Sequence, residues 1–87
     1  MKNVTKRFVE VLVCEDMEGR HMKWVGTDKT YEEAVKELRE VWLCGYHEVR
    51  VVDKTFNPET FEITEEVVKL AERIHLFALH TWKVKEY

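Results

Sequence analysis

Between Thr30 and Asp53 the spacing of apolar positions changes period, and the change marks two elements. Tyr31, Ala34, Val35, Leu38, Val41 and Trp42 fall at i, i+3, i+4, i+7, i+10 and i+11, the stripe of an amphipathic helix. Thr30 stands at the N-cap, and Glu33 three residues on reaches back to its amide, a capping box that also sets negative charge at the positive end of the dipole. Gly45 supplies the left-handed residue on which such a helix ends, so a stop at about Cys44 is expected. Val49, Val51 and Val52 then form the β-branched run of a short strand.

Upstream, Phe8–Cys14 has Val9, Val11 and Val13 on one face and Phe8, Leu12 and Cys14 on the other, with Glu10 as the one dissenter. Two-sided apolarity predicts a central strand covered on both faces. Asp16–Gly19 reads as a turn. His21–Thr27 is a second, more polar strand, suited to an edge. The crossover rule places the third strand beyond the first, giving the order second, first, third with antiparallel neighbours. The first six residues are expected to be a solvated tail.

Downstream, Asn57-Pro58-Glu59-Thr60 has the Asx start and second-position proline of a type I turn, with Phe56 and Phe61 flanking it and packing on each other. Phe61–Ile63 is either a fourth short strand or an ordered loop. A second helix is expected from about Glu65 to about Trp82, capped by Thr64 and stapled by Ile63 on Val68. Val67, Leu70, Ala71, Ile74, Phe77 and Ala78 give it a core stripe, while Leu76 lies among charged positions beside His75, Leu79 and Trp82. The pattern as a whole predicts a small α/β (α+β) domain of order ββαβ(β)α: a single-layer, mostly antiparallel sheet with two helices packed on it.

Composition narrows this further. Eighty-seven residues, 45% hydrophobic and 36% charged, fit one domain, small enough that dimerisation would help it. The apolar run near the N-terminus is too short and too charged for a signal peptide, and no run approaches a membrane span. Two widely separated cysteines suggest a reducing compartment, the cytoplasm. A net charge of −3, with interleaved signs, makes the chain neither a basic nucleic-acid binder nor an acidic mimic.

The candidate chemistry is sparse. Cys14, Cys44, His21, His47, His75 and His80 lack CxxC or HxxxH spacing, and the five-residue step from His75 to His80 sets the rings about 140° apart on a helix, so no metal site is expected. Both cysteines read as buried structural thiols rather than nucleophiles. The carboxylate pairs Glu15/Asp16 and Glu32/Glu33 are explained by a turn and a helix start. No phosphate loop occurs, and neither a catalytic residue nor a cofactor is assigned.

The hairpin, helix and strand over Phe8–Val52, with the helix ending in a glycine before the strand, resemble HicB-type antitoxins and half of a ferredoxin-like or SPOR repeat. The resemblance consists of periodicity; the proline-rich loop of the first and the first βαβ half of the second are missing, and no functional residue is carried over. The expectation is therefore a non-enzymatic protein-interaction or regulatory module, a type common among phage and other mobile-element accessory products. It is expected to form a homodimer through His75, Leu76, Leu79 and Trp82 on the final helix. The alternative is a nucleic-acid-binding accessory protein using Lys2, Lys6, Arg7, Lys23 and Trp24. A contiguous positive patch around Lys6 and Trp24 would favour the alternative.

Overall fold

The computed structural model describes residues 2–14, 22–40, 45–75 and 82–87. The N-terminal run forms β1 (Val4–Cys14), followed by β2 (Lys23–Thr27), α1 (Tyr31–Glu40), β3 (Gly45–Asn57), β4 (Glu62–His75) and β5 (Trp82–Glu86). The strands make one antiparallel sheet in the order β2-β1-β3-β4-β5. The expected placement of β2 at the edge and β3 beyond β1 is the one observed. Among the described residues no helix is long and apolar enough to cross a membrane.

The expected fold class is corrected on one large point: of the helix read over Glu65–Trp82, the described residues Glu65–His75 and Trp82 are strand, and the two-helix α/β order goes with it. Its first part is β4, paired with β3 from Asn57↔Glu62 to Gly45↔His75, and its last residue opens β5. Part of the spacing that reads as helical coincides with a β-bulge. The register steps from Val51↔Lys69 to Val52↔Val67, so Val68 is an extra residue. Val67 and Leu70 thereby share the side away from the helix although three apart, whereas Ala71, paired with Val49, faces α1 and is buried in the core. Pairing along the whole length of β3 then outweighs the helix preference of the Glu, Lys, Leu and Ala positions.

α1 starts as expected. The Glu33 amide donates to Thr30 Oγ1 at 3.3 Å, while the Glu33 carboxylate accepts from the Thr30 hydroxyl at 3.1 Å rather than from its amide. Ala34, Val35 and Leu38 turn onto the sheet and bury themselves against Val49 and Ala71, with Val9, Val11, Val13, Tyr31 and Trp82 around them. Val41, Trp42 and Cys44 lie outside the described residues. Gly45 opens β3, which is far longer than the short valine strand read from the sequence.

Buried Arg73 ties the helix down. Its Nη2 donates to the Leu38 carbonyl at 2.5 Å, and its guanidinium lies 4.8 Å from the centre of the Trp82 ring. A cation at a helix C-terminus meets both the unpaired carbonyls and the negative end of the dipole. Burial first, and the like charge of Arg39 second, pull Arg73 below its ordinary pKa.

Candidate interaction surface

Directly paired residues of an antiparallel sheet share a face, so the register sorts every side chain. α1 covers one face from the Cys14 end to about Val9 and Val51. Beyond that point β1, β3 and β4 run on as a three-stranded ribbon, since β2 ends opposite Val9 and β5 ends opposite Lys69. On the helix side this ribbon is polar. Thr5 and Thr55 hydroxyls meet at 2.9 Å, and Arg7 holds Asp53 through two bonds of 2.7 and 2.9 Å.

The side away from the helix is built differently. Two apolar rows, Phe8–Val52–Val67 and Val4–Phe56–Ile63, flank one charged row, Lys6–Lys54–Glu65. Val52 is buried beneath Lys54, which reaches diagonally to Glu10 at 3.4 Å and to Glu65 at 3.4 Å. Arg50 closes the cluster with Glu10 at 3.1 Å, and Glu10 holds the Lys54 ammonium above its ordinary value. Val4, Phe8 and Ile63 remain 50%, 41% and 65% exposed, a large apolar fraction for three neighbouring strands. Together with Phe56, Lys6 and Lys54 they line a groove of about 360 Å³.

The turn at the ribbon's tip supports this patch. The Glu59 amide donates to Asn57 Oδ1 at 3.0 Å and the Phe61 amide to the Asn57 carbonyl at 2.8 Å, an Asx start closed one residue later than a type I turn would be. Phe61 takes a left-handed φ of 59°, uncommon for a bulky side chain. Its ring tilts against Phe56 at 6.2 Å, the packing expected from the sequence. Cys14, Lys23, Gly45, His75 and Trp82 belong to the opposite end of the sheet. Val4 stands ten residues, or about 33 Å, along β1 from Cys14.

Of the residues singled out in the sequence, the described ones are scattered. Leu76 and Leu79 lie outside the described residues, as do His21 and His80. The backbone of His75 ends β4 opposite Gly45, and Trp82 packs on the core beside Arg73. Among the described residues, Glu62–His75 and Trp82–Glu86 are strands rather than parts of one helix. Of the nucleic-acid set, Lys2 precedes β1, Lys6 and Trp24 lie on the side away from the helix, and Arg7 and Lys23 lie on the helix side. Glu10 stands between Lys6 and Trp24, and the Trp24 ring is covered by Arg50 at 3.7 Å. Among the described residues no contiguous positive patch joins them.

Val4 and Ile63 were missed as surface residues. The sequence pattern puts Val4 in a solvated tail, whereas Val4–Lys6 pair with Phe56–Lys54; it makes Ile63 a staple on a helix, whereas Ile63 pairs with Phe56. The available signal was the alternation of Val4, Lys6 and Phe8, which continues the period of the following strand. No protein-family model matches the chain, nor does any curated protein or solved structure.

Arg7 and Asp53 give a pH test of the ribbon. The bond to Arg7 holds the Asp53 carboxyl below its ordinary range. A depressed carboxyl contributes stability above its unfolded pKa and loses it as pH falls through the folded value. Thermal unfolding followed from pH 7 down to acid should therefore show Asp53→Asn less stable than wild type near neutrality, with the gap closing below about pH 4. A gap that is constant with pH would mean that the pair does not hold the ribbon.

Proposed function

We propose that this chain is a protein-interaction module that docks through the ribbon face formed by Val4, Phe8, Phe56 and Ile63. One observation carries the reading: three large apolar side chains stand half or more exposed, or nearly so, on one side of a ribbon whose other side is polar and hydrogen-bonded. An amphipathic ribbon of this kind gains by covering its apolar side, and the hydrophobic gain on covering scales at about 25 cal/mol per Å². A binding role of this type asks for neither a catalytic group nor a cofactor. The separation of the two cysteines in sequence supports a cytoplasmic setting.

The nucleic-acid reading is weaker on the same geometry. Stacking of bases needs an accessible ring beside free cations, and the Trp24 ring carries Arg50 on its face.

The test is affinity capture from the source cells with identification of what is retained. Wild type and a helix-surface control, Glu37→Gln, should retain the same protein, and Ile63→Lys should lose it. Retention by all three would show that the ribbon face is not the docking surface.

A further inference from the structure

We infer that the occupant of this face is a second copy of the same chain, related by a two-fold axis parallel to the strands. The inference rests on the docking face proposed above and names its partner from the arrangement of charge. In the charged row the ends carry opposite signs, Lys6 on β1 and Glu65 on β4, with Lys54 between them on β3. Lys54 is already bracketed by Glu10 and Glu65, whereas among the described residues Lys6 has no acidic partner.

Face-to-face sheets pack about 10 Å apart, with the inner side chains interleaved. A two-fold axis along the strands keeps each residue at its height and exchanges β1 with β4. Lys6 of each copy then stands over Glu65 of the other, twice by symmetry. The apolar rows meet their own kind, Phe8 over Val67 and Val4 over Ile63. An axis in the sheet plane but across the strands does the reverse: it leaves Lys6 over Lys6 and Glu65 over Glu65, and like charges at close range oppose association. Lys54 stands over its own copy in both arrangements, held there by Glu10 and Glu65, so the ends of the charged row select one of the two. An isologous contact of this kind closes on itself and leaves no further copy to recruit.

Three rows on three strands make a small patch beside the ~800 Å² per partner of a standard interface, so the expected dissociation constant is of the order of tens of micromolar. Sedimentation equilibrium on the purified full chain reads it directly. Wild type should dimerise in that range, and Lys6→Glu and Glu65→Lys should each weaken the dimer by about tenfold, since each sets like charges at two symmetric positions. The double variant Lys6→Glu/Glu65→Lys should return to within about threefold of wild type. Ile63→Lys should be monomeric with an unchanged far-ultraviolet spectrum.

A wild type that stays monomeric at about 1 mM overturns the inference, as does a dimer indifferent to the single charge changes or a double variant no stronger than the singles. Monomeric wild type combined with a host protein lost on Ile63→Lys would leave the docking face standing and remove only the second copy from it. Loss of neither association on Ile63→Lys would remove both.

Discussion

Truncating Leu38 to alanine is expected to destabilise the protein by about 2–5 kcal/mol, the range for deleting a large side chain from a packed interior. Leu38 is 9% exposed and belongs to the group Ala34, Val35, Val49 and Ala71 that joins α1 to the sheet. A ten-residue helix is marginal by itself in water, so α1 exists because that face is buried. Domains of this size have total stabilities of about 5–15 kcal/mol, and each lost kcal/mol lowers the midpoint by about 4–8 °C. Circular dichroism should record a fall in melting temperature of 10 °C or more on this scale. A midpoint within a degree or two of wild type would mean that this side of the helix does not meet the sheet.

Replacing Arg73 with methionine is expected to cost about 1.5–3 kcal/mol, the usual value of a hydrogen bond to a charged group. Methionine keeps most of the stem volume, so the change isolates the guanidinium from the packing around it. What is removed is the bond to the Leu38 carbonyl and the contact with the Trp82 ring, which together fasten the end of α1 to β4 and β5. Arg73→Lys should lose nearly as much, because a compact ammonium does not reproduce the planar fork that reaches both partners. Urea unfolding of the three proteins measures the difference. Burying an ion carries a desolvation cost, and a methionine variant more stable than wild type would show that this cost exceeds what the two contacts return.

These two sites also show how far the chain is readable from its residues. The start of α1 is local: Thr30, Glu33 and the stripe through Leu38 sit within a few residues of one another, and each condition points to a helix. The position of β3 beyond β1 follows from handedness and from the apolarity of Val9, Val11 and Val13. β4 is not local in this sense. Its residues favour a helix one by one, the bulge at Val68 sets Val67 and Leu70 on one face three residues apart as a helix would, and what decides the matter is the edge of β3, which no window inside β4 contains. The burial of Arg73 is illegible for the same reason, since the Leu38 carbonyl that receives it lies 35 residues away.

The docking face was hidden by the same non-locality. Val4, Phe8, Phe56 and Ile63 come from three separated stretches and become neighbours only through the register of three strands. The apolar density around Leu79 and Trp82 is visible in one glance at the sequence, yet Trp82 is spent on the core. A surface assembled across strands is legible only after the pairing is known.

The pairing of β1 with β3 sets the tempo at which the molecule is made. β3 and β4 are joined by the short turn at Asn57–Phe61 and can close as a hairpin on the microsecond scale. β1 meets its main partner late: Thr5 and Thr55, which touch across that pair, are 50 residues apart. Loops of that length carry a larger closure entropy, and folds dominated by such contacts form slowly. During synthesis the run from Phe8 to Cys14 leaves the ribosome well ahead of the valines that will cover its edge. Until they arrive it has only the five residues of β2 beside it, which makes that interval the period in which the nascent chain is most open to strand exchange with its neighbours.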